Sequence, residues 1–232
     1  MATIQPPVLM KIKEWLYNVC EKIAPTHKEA RSLAYYSILW LEYLILNNFP
    51  LSIPLDHKYI QLYVLIILDI ILDKFEHLRK ICSSKALIDL TNNVYSLQDV
   101  YKLRDEIQSL DLYNLITIES IFIELEKILN KLKKNGIELS EEKINIIILL
   151  MDGYILKLFT ITDVKLKLIS ACIAVTNFWL SEKEEEKWPL DYSNIIGLEL
   201  KDFIKEYEKV YCVAYLINAK NLEKKNAIRN NQ

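Results

Sequence analysis

The chain has 232 residues, 52% of them apolar, which is enough for one large or two small packed domains and excludes a disordered protein. Its 29 basic and 31 acidic side chains leave a formal charge of −2, so the whole-molecule field offers no electrostatic case for nucleic acid. Three glycines and six prolines argue against a strand-and-turn fold or a phosphate-cradling loop.

Helical signals run the length of the chain. Residues 11–20 place Ile12, Trp15, Leu16 and Val19 on one side of a first helix, which Pro25 and Thr26 stop. Thr26 and Glu29 have capping-box spacing, and Ala30, Leu33, Ala34, Ile38, Leu41 and Leu44 trace an amphipathic stripe beyond them. A loop over 47–54 leads to Asp56, which can cap a third helix running to about His77. That helix is apolar nearly all round, from Ile60 through Val64, Ile67 and Ile71, and so belongs at the centre of its domain. Residues 83–90 suit a short fourth helix. Ser96 then caps a fifth carrying Val100, Leu103, Ile107 and Leu110.

Five more apolar blocks follow. The amphipathic block 118–132 closes around Lys131 and is followed by Lys133, Lys134 and Gly136, a cationic helix end running into a turn. Ser140, Glu141 and Glu142 open the next helix, which continues over 144–159. Thr162 and Asp163 precede a helix over 164–180 whose run Ser170-Ala171-Cys172-Ile173-Ala174 permits close helix contacts. Helices over 188–196 and 200–217 complete the set, and 218–232 reads as a frayed polar tail. The run of charge from Glu182 to Lys187 reads as a solvated loop.

Chemistry-bearing clusters are sparse. Cys20, Cys82, Cys172 and Cys212 are widely spaced and read as reduced thiols, and His27, His57 and His77 do not build a zinc site with them by spacing. Asp69 and Asp73 lie one helical turn apart, yet no His, Cys or Gly-rich element joins them in a catalytic set. No metal, cofactor, catalytic residue or small-molecule substrate is expected. The N-terminus lacks a signal-peptide pattern, and the apolar stretch over 59–72, interrupted by Gln61 and Asp69, falls short of the ~18–20 residues of a spanning helix. An intracellular protein, in nucleus or cytoplasm, is expected.

One stretch carries a more specific signal. An aliphatic helix ends in Lys74-Phe75-Glu76, a short segment closes on Thr91-Asn92-Asn93-Val94-Tyr95-Ser96, and the next helix ends in Tyr113-Asn114-Leu115. This order resembles the end of a cyclin's first five-helix repeat. The resemblance is strongest over 71–115 and weaker across about 11–216. It implies an all-α protein of two tandem five-helix cyclin-like repeats, 8–115 and 116–217, with the tail 218–232 beyond. It also implies a non-catalytic regulatory subunit that binds and activates a cyclin-dependent-type serine/threonine kinase. Ile71, Lys74, Phe75, Arg104, Tyr113 and Leu115 would form the kinase-binding set, with Lys74 at the lysine position that hydrogen-bonds backbone carbonyls near the kinase's regulatory helix. Val8, Ile12 and Trp15 fall on the apolar positions of a region that docks substrate motifs in cyclins.

The chain also departs from that pattern. Arg104 stands where cyclins usually carry a glutamate that works with the lysine, and Asp105 and Glu106 point about 100° and 200° away around the helix. Leu41-Glu42-Tyr43-Leu44 replaces a frequent Asp-Arg pair before aromatic-Leu, and Leu9 and Lys11 replace an arginine and an apolar residue of the docking region. These changes fit a divergent cyclin with a dedicated kinase, or a cyclin fold that has lost kinase activation. The rival readings are a transcription-factor-like adaptor for DNA or polymerase and a helical scaffold. Fold alone does not decide among them.

Overall fold

The computed structural model describes residues 4–89, 94–110, 120–158, 164–181 and 187–230. Among these residues the protein is all-α, with no strand. Its helices are α1 (Pro6–Ile23), α2 (His27–Asn47), α3 (Ile60–Leu72), α4 (Glu76–Arg79), α5 (Ser84–Asp89), α6 (Leu97–Ser109), α7 (Ile121–Lys134), α8 (Glu141–Lys157), α9 (Lys165–Ser181), α10 (Leu190–Ile196) and α11 (Ile204–Asn230). A 3-10 turn, Leu200–Phe203, precedes α11. The chain divides into two compact units, Met1–Phe122 and Ile123–Gln232. The repeat boundary expected at 115/116 lies outside the described residues.

The first unit is built around α3. Twelve of its thirteen residues are buried, and it packs against α1, α2, α4, α5 and α6. An all-apolar helix reaches low free energy only when covered on every side, because each exposed Leu or Ile would forfeit about 1.5–3 kcal/mol of burial. Tyr63 turns its hydroxyl to the Ile53 carbonyl, so even the ring at the start of α3 has its polar end satisfied. The short helices are held by single anchors, Leu78 in α4 and Leu87 in α5, both essentially unexposed.

Local signals place several helix starts where the sequence puts them. The Thr26 hydroxyl accepts from the Glu29 N–H at 3.2 Å, Ser96 from Asp99 at 3.1 Å and Ser140 from Lys143 at 3.3 Å. Asp56 accepts from the N–H groups of Lys58 and Tyr59 and so closes the turn that feeds α3. α1 begins at Pro6 rather than near Lys11, since proline in a first turn gives up no helical hydrogen bond. α2 ends on Asn48 in the left-handed conformation, a role asparagine fills with little strain.

Other elements differ from the expectation. The third helix ends at Leu72, five residues before His77, and the chain turns through Asp73–Phe75 into α4. Every residue of α2 from Ser32 to Leu41 is buried, so this helix is enclosed on all sides rather than amphipathic there; Tyr35, Tyr36 and Trp40 fill the faces beyond the aliphatic stripe. The final helix continues to Asn230 through the segment expected as a polar tail. Its composition, with Ala, Leu, Glu and Lys and neither Gly nor Pro, favours helix once one is nucleated.

In the second unit α8, α9 and α11 pack on one another, and the 3-10 turn packs on α9 and α11. The run Ser170–Ala174 is fully buried in α9, as its small side chains require for close approach. Trp188 meets Phe203 edge to face at 4.8 Å and Tyr192 at 5.5 Å, with its indole N–H donating to the Leu198 carbonyl at 2.9 Å. After α7 the chain reverses at Gly136, whose φ of +84° suits glycine; the Ile137 and Gly136 N–H groups close back on Leu132 and Lys133. The acidic run over 182–186 and the expected cap at Thr162 and Asp163 lie outside the described residues.

Candidate functional site

The C-terminal end of α3 carries the most chemistry in the first unit. Asp69 is 5% exposed in a helix that is otherwise apolar but for Gln61 near its start, and Asp73 lies one turn on, half-exposed. Two carboxylates at a helix C-terminus face the negative end of the macrodipole and each other, so they need cations. Two arginines supply them. Arg79, at the end of α4, donates through Nη1 to Asp69 Oδ1 at 2.7 Å and through Nε to Asp73 Oδ1 at 2.8 Å, and its Nη2 caps the Asp69 carbonyl. Arg104, from α6, donates one guanidinium nitrogen to Asp69 Oδ2 and the other to Asp73 Oδ2.

Each carboxylate therefore has one oxygen on each arginine. The planar fork of a guanidinium suits this bridging as an ammonium does not. Burial works against the Arg79 charge, but hydrogen bonds to Asp69 and then Asp73 outweigh it and hold its pKa above the ordinary guanidinium value. A network with this balance is charge-neutral, and it ties α3, α4 and α6 at one point.

The corner it encloses contains the residues singled out by sequence. Lys74 is exposed at the turn, and its N–H bonds to the Ile71 carbonyl at 2.9 Å. Phe75 is half-buried, its ring 6.3 Å from that of Tyr36. Ile71 is fully buried and packs the core beneath this surface. Arg104, expected beside Lys74 with reversed sign, turns its guanidinium inward to the two aspartates. Tyr113 and Leu115 lie outside the described residues, as do Thr91, Asn92 and Asn93. Val94 is exposed, Tyr95 donates to the Lys58 carbonyl at 3.1 Å, and Ser96 caps α6.

On α1, Val8, Ile12 and Trp15 are half-buried along one side. Behind them Lys13 is buried and paired with Glu42 of α2. Sequence reasoning missed this pair and missed Arg79 altogether. The available signal was Asp69, because a carboxylate inside an apolar helix demands a cation from elsewhere.

Among the described residues no three His, Cys, Asp or Glu side chains gather where they could hold a metal ion, and no helix is long and apolar enough to cross a membrane. A narrow apolar slot lies between α3, α5 and α6, lined by Leu62, Leu65, Ile66, Leu87 and Val100 with Asp69 at one end.

Compared with family models, curated proteins and solved structures, the chain matches none.

Proposed function

We propose that the chain is a divergent cyclin-like regulatory subunit, without a reaction of its own, that binds a cyclin-dependent-type serine/threonine kinase inside the cell, in nucleus or cytoplasm. One observation carries the reading. Five helices, α1, α2, α4, α5 and α6, pack around a third helix that is apolar but for Gln61 and Asp69, and that helix ends in a corner presenting exposed Lys74 and half-buried Phe75. A partner meeting this corner finds a cation able to bond backbone carbonyls and an aromatic anchor beside it, the mix in which a few residues supply most of an interface's energy.

The mechanism is steric and conformational. A rigid helical face that favours the inward position of the kinase's regulatory helix stabilises the pairing of its glutamate with the nucleotide-positioning lysine. The two-unit organisation accords with tandem repeats, although six helices, α1 to α6, lie in the described first unit where the resemblance implies five.

The test is reconstitution with each cyclin-dependent-type kinase of the same organism, measuring complex formation and phosphotransfer. The expected result is a one-to-one complex and activation of one kinase, with affinity reduced about tenfold or more by Lys74→Ala and by Tyr113→Ala. Failure to bind or activate any of them overturns the reading, and tight DNA binding with a steep salt dependence would favour an adaptor instead.

A further inference from the structure

The backbone of the corner is weakly held by its own hydrogen bonds. Asp73, Lys74 and Phe75 each donate to a carbonyl three residues back, and α4 is only four residues long. Such three-residue turns have poor geometry and open readily when isolated. Leu78 anchors the far side of the corner in the core and His77 meets Glu29 of α2, while its base is closed by the pairing of Asp73 at its start with Arg79 at its end, locked from α6 by Arg104. The residues between them, including Lys74 and Phe75, form a short loop stapled at its base.

We propose that Arg104 is a positioning residue, which fixes the Lys74–Phe75 corner from within by bridging Asp69 and Asp73 and does not itself touch the partner. The guanidinium sits in place of a glutamate that would meet the partner in the resembling family, but it is spent on α3. Its side chain is only 18% exposed, and both ends of its fork are occupied. Without it Arg79 alone faces two carboxylates, Asp73 is freed from α6, and the loop it anchors gains conformations that a partner must then suppress on binding. The identity of the docking partner rests on the kinase reading; the stapling of the corner does not.

The experiment compares the full chain with Arg104→Met, Arg104→Lys and Lys74→Ala. Amide hydrogen exchange is followed over 73–79 in the free protein, and affinity is measured for the kinase that the wild-type chain activates. In Arg104→Met, exchange over 73–79 should accelerate about tenfold or more while α1 and α2 amides keep their protection. Kinase affinity should fall by a similar factor. Arg104→Lys, whose single ammonium reaches one carboxylate well, should recover part of both losses. Lys74→Ala should weaken binding and leave exchange unchanged.

Unchanged exchange in Arg104→Met overturns the proposal, and so does faster exchange with undiminished kinase affinity. Should Arg104→Met fail to fold, Arg104→Lys read by the same two measurements decides. A wild-type chain that engages no kinase sinks the functional reading alone, because the exchange comparison still shows whether Arg104 holds the corner.

Discussion

Lys13 of α1 and Glu42 of α2 form an ion pair within the helix contact, the lysine 3% exposed. The lysine has left water and Glu42 is largely shielded from it, so each charge depends in good part on the other. Lys13→Met should cost about 3 kcal/mol, since it strands a partly buried carboxylate. The double variant with Glu42→Leu should return most of that loss. Urea denaturation of the two singles and the double would check it. A double variant no more stable than the worse single would mean that packing, not charge, sets the cost.

Gly153 places α8 against α11. An added Cβ would lie 2.8 Å from Val213 Cγ1 and 3.2 Å from Ile217 Cδ1. The first contact is tighter than real Cβ atoms show, and a valine methyl, short and stiff at χ1, has little room to withdraw. Gly153→Ala sets a helix-propensity gain of about 1 kcal/mol against that clash and should be close to neutral. Gly153→Leu should lower stability by about 1–3 kcal/mol. The denaturation midpoint would show it, with an unchanged slope expected if the fold is kept.

The features legible in the sequence were those set by neighbours in the chain. The nearly all-round apolarity of α3, the caps at Thr26, Ser96 and Ser140, and the small residues of α9 all act within a few positions, and the structure uses each as expected. The site was only half legible. Lys74 and Phe75 stand out at the end of a helix, but Arg79 and Arg104 reach Asp69 across 10 and 35 positions, and no local pattern reports such a distance. By resemblance Arg104 reads as a member of the partner-binding set with its sign reversed. It is a recruited internal cation. For the same reason α4 was absorbed into its neighbour: four residues are too few to show a helical period.

Acid should weaken the first unit through two carboxylates. Hydrogen bonding from the Thr26 hydroxyl, and next from His77, holds the Glu29 pKa below its ordinary value. Ser52, first through its side chain and then through its backbone N–H, does the same for Glu106. Each carboxyl binds a proton less readily folded than unfolded, so its contribution is present above about pH 4.3 and is lost as pH falls through the depressed folded value. Both groups are near solvent, which keeps each contribution under about 1 kcal/mol. Thermal melts at pH 7 and pH 3 should show a smaller acid-induced drop for the Glu29→Gln, Glu106→Gln double variant than for wild type. Equal drops would remove these two residues from the acid response.

Thiol chemistry offers an independent reading of burial. Cys20, Cys82 and Cys172 are buried, whereas Cys212 is exposed on α11. Burial pushes the thiols of Cys20 and Cys172 far above the usual cysteine range and raises that of Cys82 as well. The thiolate is the reacting species, so an aromatic disulfide reagent at neutral pH should find one fast thiol per native chain. Three more should appear only with unfolding, and Cys212→Ser should abolish the fast phase without touching the slow one. A second fast thiol surviving in Cys212→Ser would show that α1, the α4–α5 connection or α9 opens far more often than its packing allows.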